Sequence, residues 1–151
     1  MKVITILSGL LTPIIALIAV YIAYQQHRIG KKKLNLDLYE RRYSVFSEVK
    51  KLLKYMNENS QIDTIEIQKF MFRTNDRKFL FDSDITAFIE VLKDNALALS
   101  HATEHLKKPE QYKGTIAEDN QTASRLEKWF TEAYEGVENR FMEYLEFKKI
   151  K

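Results

Sequence analysis

The chain has no cysteine, which excludes disulfides, thiol catalysis and cysteine-based zinc sites and fits a reducing compartment. Four glycines and two prolines are few for 151 residues. Tight turns and strand ends draw on both, so their scarcity favours a chain built of helices. Acid is missing too, but only locally. Residues 1–33 hold no Asp or Glu and five basic residues, Lys2, Arg28, Lys31, Lys32 and Lys33. That leaves 19 basic residues against all 21 acidic ones in the rest of the chain. The net charge of +3 and the pI near 8.9 therefore report a local cluster, which argues against a general nucleic-acid-binding surface.

Charge of either sign is absent from Val3 to Tyr24, "VITILSGLLTPIIALIAVYIAY". As a helix these 22 residues would be about 33 Å long, enough for a hydrocarbon core of about 30 Å. A cleaved signal peptide would want a more basic start and a small-x-small pair. Here Ile14, Leu17 and Tyr21 stand two residues before Ala16, Ala19 and Ala23, so a retained anchor is expected. Pro13 lies in mid-span, where a membrane helix tolerates it. One lysine precedes the span, while Arg28, Lys31, Lys32 and Lys33 follow it. Positive residues stay on the cytoplasmic side, so the N-terminus is expected outside and the remainder in the cytoplasm of a bacterium, at its inner membrane. Tyr21 and Tyr24 would sit at the inner headgroups. The expected organisation is an anchor over 1–24, a basic juxtamembrane segment over 25–33 and a cytoplasmic helical domain over 34–151.

The span also carries a seam of small residues. Thr5, Gly9, Thr12, Ala16, Ala19 and Ala23 follow one another at spacings of four and three, and Gln26 and Gly30 continue the series. Small residues let membrane helices approach closely. Gly9, Thr12, Ala16, Ala19 and Ala23 therefore form a candidate packing face for self-association or for another membrane protein, with the bilayer itself as the first partner.

Beyond the basic run the apolar period is helical. Leu38, Val45, Val49, Leu52 and Met56 make one stripe, flanked by Tyr39, Phe46 and Leu53, and nothing but Gly30 separates it from the span. One long helix, or two nearly collinear ones, is expected. Asn57–Thr64 reads as a loop, and "IEIQKFMF" after it as a short helix, since no strand is available to pair with it. Asp82 or Ser83 caps a helix carrying Ile85, Phe88, Ile89, Leu92, Ala96, Leu99 and Leu106, which Pro109 ends. The last helix is expected from about Asp119 to Lys148, with Leu126, Trp129, Phe130, Ala133, Val137, Phe141, Tyr144 and Leu145 on its stripe. The fold class is all-α: a transmembrane helix, then a bundle of three long amphipathic helices with Phe88, Leu92 and Trp129 in its core.

Chemistry-bearing patterns are sparse. His101 and His105 in "HATEH" lie one turn apart with Glu104 between them, but Ala102 stands where a His-Glu-x-x-His motif needs its general base, and no third ligand is evident. There is no Gly-rich phosphate loop and no Gly-x-Ser-x-Gly. No catalytic, cofactor-binding or metal site is expected, because no nucleophile, base and stabiliser can be assembled.

"YIAYQQHRIGKKKLNLDLYERRYSVF", residues 21–46, resembles a group of small single-span bacterial proteins, many of them near prophages. The shared pattern is carried here by Tyr21, Ile22, Ala23, Gln26, Lys33, Leu34, Leu36, Asp37, Leu38, Tyr39, Arg42 and Tyr43, and "FLFDSDI" at 79–85 is similar to a later segment of the same group. The resemblance implies architecture and no catalysis. By analogy it suggests a role in excluding or sensing phage at the membrane.

Overall fold

A computed structural model describes residues 2–59, 61–112 and 115–146, with side-chain surroundings from residue 13 onward. The described residues are all-helical. Five helices follow in order: α1 (Lys2–Asn59), α2 (Thr64–Arg73), α3 (Arg77–Leu80), α4 (Ser83–Lys107) and α5 (Ile116–Leu145). The chain divides into two compact units, Met1–Leu38 and Tyr39–Lys151. The first unit holds only the first part of α1, which continues through Pro13. Among the described residues no helix is long and apolar enough to cross a membrane. The described apolar side chains from residue 13 to Tyr24 cover 12 residues, about 18 Å of helix. Residues 3–12 of the expected span lie outside the described side chains.

The second unit holds the core. Val45, Val49, Leu52, Leu53 and Met56 of α1 are buried, as their period requires. Ile85, Ile89, Leu92 and Leu99 of α4 and Phe130, Val137 and Phe141 of α5 are buried as well, and the Phe46 ring of α1 meets that of Phe141 at 5.4 Å. The bundle is thus made of the second half of α1 with α4 and α5, and two short helices, α2 and α3, are added to the three long ones. α4 packs against α5 and against the short helices α2 and α3.

Three local expectations change. The loop after α1 is shorter than Asn57–Thr64, because Asn59 donates its side-chain amide to the Tyr55 carbonyl at 2.9 Å and prolongs the helix. Asp63 then caps α2 by accepting from the Ile65 amide at 2.9 Å. The short helix expected over "IEIQKFMF" forms within α2, with Ile67 and Phe70 facing inward and Ile65 facing out. α5 starts at Ile116 rather than Asp119, with Glu118 and Asp119 in its first turn, where the macrodipole favours acids. The expected end at Lys148 lies outside the described residues. Finally, Trp129 is half-buried rather than core, and lines a groove between α4 and α5 with Phe88, Val91 and Arg140. Its ring meets Phe130 edge-on at 5.1 Å, and the Arg140 guanidinium lies 4.5 Å from the centre of the Phe88 ring beside it.

Gly136 lies inside the continuous helix α5 with nothing near enough to meet an added Cβ. Gly136→Ala should raise stability by about 0.5–1 kcal/mol, because the unfolded chain loses freedom and the helix gains a better former. A denaturant titration followed by circular dichroism measures it.

Candidate functional site

Residues of α1, α3 and α5 that stand far apart in the sequence meet at Arg42. Arg42, on the α1 face next to Val45, donates from Nε to the Leu80 carbonyl at 2.9 Å and from Nη1 to the Tyr144 carbonyl at 3.3 Å. Its guanidinium also stands 5.6 Å from the Tyr144 ring centre. One side chain thereby satisfies carbonyls at the C-terminal ends of α3 and α5, where helices leave acceptors unpaired. The planar fork and delocalised charge of arginine suit this, and lysine could not span both.

Tyr144 continues the junction. Its ring packs edge-on against Phe81 at 5.2 Å, and Phe81 in turn meets Phe141 at 5.3 Å. Its hydroxyl donates to Asp82 at 3.0 Å and lies 3.3 Å from Asp84. Asp82 does stand at the N-cap of α4 with extended backbone, but its side chain makes no capping bond and is spent on Tyr144. The "FLFDSDI" segment and the Arg42 segment are therefore halves of one lock closed by α5. Asp37 of the same pattern is exposed and has no structural explanation here.

The surroundings of Tyr144 dictate a pH response. Burial, then donation to Asp82 and the nearby Asp84 charge, push its phenol up to about 12, because a phenolate there would face two carboxylates. A raised folded pKa means stability fully present below pH 10 and lost as pH rises toward about 12. Tyr144→Phe should remove that part of the alkaline decline. Denaturation midpoints compared between about pH 9 and pH 12 should converge for the two proteins, because only the parent loses this contribution.

The histidine pair does not form a joint site. His105 Nδ1 lies 3.1 Å from Asp119 Oδ2, and its ring stacks on Tyr112 at 4.0 Å, tying α4 to the start of α5. His101 is exposed instead, on a polar cleft of about 660 Å³ with Asp63, Ser100, Glu104 and Lys107. Ser100, which lines that cleft, accepts from the Ile62 amide at 2.9 Å and donates to the Ile62 carbonyl at 3.0 Å. Among the described residues no three His, Asp or Glu side chains are grouped to hold a metal.

Of the expected packing face, Ala16, Ala19 and Ala23 are exposed along α1, while Gly9 and Thr12 lie outside the described side chains. Arg28, Lys31, Lys32 and Lys33 are exposed and enter no ion pair found among the described residues.

Two features had no place in the sequence reading. Arg77 is 4% exposed, pairs with Glu90 through Nη2 and donates to the Thr74 carbonyl at 3.0 Å, leaving Nε buried without a partner. Its signal was positional: Ile67, Phe70, Thr74, Arg77 and Leu80 recur every three or four residues on one buried side. The opposite side exposes Ile65, Phe72 and Phe79 at intervals of seven. Compared with family models, with curated proteins and with solved structures, the chain matches none.

Proposed function

We propose that the protein is a single-span, membrane-tethered helical module of the bacterial inner membrane, with its N-terminus outside and its bundle in the cytoplasm. The bundle binds a second copy or a protein partner, and the anchor concentrates it at the bilayer. One observation carries this reading. Ile14, Ile15, Leu17, Ile18, Val20 and Ile22 of α1 are exposed on every side of the helix. A helix apolar all round needs a protein interior or a bilayer to cover it. The uncharged run from Val3 to Tyr24 has the length for the second, and the four basic residues after it set the orientation. Catalysis is not part of the proposal, because titratable groups that do meet, such as His105 with Asp119 and Arg77 with Glu90, are tied into pairs joining helices.

Fusion of alkaline phosphatase to the C-terminus tests the topology. The fusion should be inactive in a bacterial host, since the enzyme matures only after export. High phosphatase activity would overturn the orientation.

A second reading is favoured by the small-residue seam: a phage-exclusion or toxin-like protein acting through oligomers of the span, as the resemblance suggests by analogy. Ala16→Ile adds bulk where close approach is needed, while Leu17→Ile one position round the helix does not. In a membrane two-hybrid assay the first change should abolish self-association and the second should leave it intact. Equal signals would remove the seam from the mechanism.

A further inference from the structure

Where its uncharged run ends, α1 turns cationic on one side. Tyr21, Tyr24, Arg28, Lys31 and Lys32 follow at intervals of three, four, three and one within a continuous helix. At 3.6 residues per turn all five fall within about 100° of one another. All five are exposed, and the three cations enter no ion pair among the described residues. The first acid of the chain, Asp37, comes nine residues after Arg28 and so lies on the opposite side of the helix. The Tyr21 hydroxyl accepts from Gln25 Nε2 at 2.9 Å, which leaves its own proton for another acceptor.

We infer that this face seats the phosphate headgroup of an anionic phospholipid in the inner leaflet. The inference rests on the membrane-tethered reading above, which puts residues 21–32 at headgroup depth. Orientation requires only a count of positive residues, wherever they point. Three of the four cations sharing one face with both tyrosines is a further property, and it is the one a headgroup uses. Lys31 and Lys32 stand three and four residues after Arg28, with Cβ atoms about 5–6 Å apart along such a face, so Arg28 and either lysine reach one phosphate. Arginine grips it with a planar fork and lysine with a point charge. A zwitterionic lipid would bring its own cation to the same face, whereas an anionic one adds none. An acidic protein fits less well, because tyrosines at the head of the face suit a boundary that is apolar on one side and wet on the other.

The test uses the full chain reconstituted in vesicles of phosphatidylglycerol and phosphatidylcholine, with brominated acyl chains on one lipid or the other at equal mole fraction. Leu17 is exposed on the same side of α1, four residues before Tyr21, where the acyl chains of a lipid held on this face would lie. Leu17→Trp in a Trp129→Phe background is therefore a single reporter. Brominated phosphatidylglycerol should quench it at least twofold more than brominated phosphatidylcholine, and high salt should shrink the difference. The comparison variant exchanges residues, Arg28→Ile with Ile29→Arg and Lys32→Leu with Leu34→Lys. It keeps four positive residues, and with them the orientation, but leaves only Lys31 on the tyrosine side. Its preference between the two lipids should vanish. A preference that survives in this variant would overturn the inference, since charge count alone would then account for it. Equal quenching by the two lipids before the exchange would overturn the inference and leave the tether standing. Absence of quenching by either lipid would overturn the tether and the headgroup site with it.

Discussion

Phe130→Ala is expected to destabilise the bundle by about 3–5 kcal/mol, the range for deleting a fully buried aromatic side chain. Phe130 has no exposed surface, and with Leu53, Ile89, Leu92 and Phe141 it belongs to the fully buried set where α1, α4 and α5 come together. Its cavity is not refilled by a small shift, because a close-packed core relaxes only partly around a deleted side chain. Each kcal/mol lowers the midpoint by roughly 2–8 °C over the range of domain sizes that brackets this one, so thermal denaturation of the detergent-solubilised chain should fall by more than about 6 °C. Leu92→Ala should cost about 2–5 kcal/mol by the same mechanism. Phe79→Ala, at an exposed site, should change the midpoint little in detergent. A similar loss from Phe79→Ala would place the core on the wrong face of the chain.

Glu90→Ala is the second large effect, expected at about 3 kcal/mol. Breaking a buried pair costs about 3–5 kcal/mol because the surviving charge is stranded. The lower end applies because the Glu90 side chain is 37% exposed while that of Arg77 is 5% exposed. Arg77 would keep only the Thr74 carbonyl, with Nε already unpartnered. Replacing both, Arg77→Met with Glu90→Leu, should recover most of the loss, since apolar groups of similar size need no partner. The same pair gives an acid limb to the stability profile. Hydrogen bonds from Lys93 and then Arg77 hold the Glu90 carboxyl below its ordinary value. A lowered folded pKa means stability present above the unfolded value and lost as pH falls through the folded one. Glu90→Gln should flatten that acid decline when unfolding is followed between about pH 6 and pH 2.

The Arg42 lock shows what a short pattern can encode. Its arginine, its Phe-Leu-Phe-Asp segment and Tyr144 are separated by up to 102 residues, yet they close one junction. Arg42→Lys keeps the charge and loses the fork, so it should loosen the ends of α3 and α5 while leaving Phe130 and Leu92 packed. Faster amide exchange at Leu80 and Tyr144, with the core unchanged, is the expected signature.

The helical class and the inward faces of the long helices were legible in the sequence, because a period of 3.6 places Val45, Val49, Leu52 and Met56, or Ile85, Ile89, Leu92 and Leu99, on one side whatever they pack against. The absence of cysteine and the scarcity of glycine and proline were equally local information. Helix ends were less legible, since Asn59 and Asp63 decide them by single side-chain bonds that a periodic pattern does not register. Tertiary structure alone decided the rest. Asp82 looks like a capping residue until Tyr144, 62 positions away, takes its carboxylate. Trp129 lies on the apolar stripe but at the margin of the α4–α5 contact, so position on a helix did not reveal depth. Arg77 interrupts an apolar run in the sequence and is buried because Glu90, 13 residues on, meets it. Local periodicity assigns a face to each residue, but which faces meet, and which charge finds its partner, depends on contacts between residues far apart in the chain.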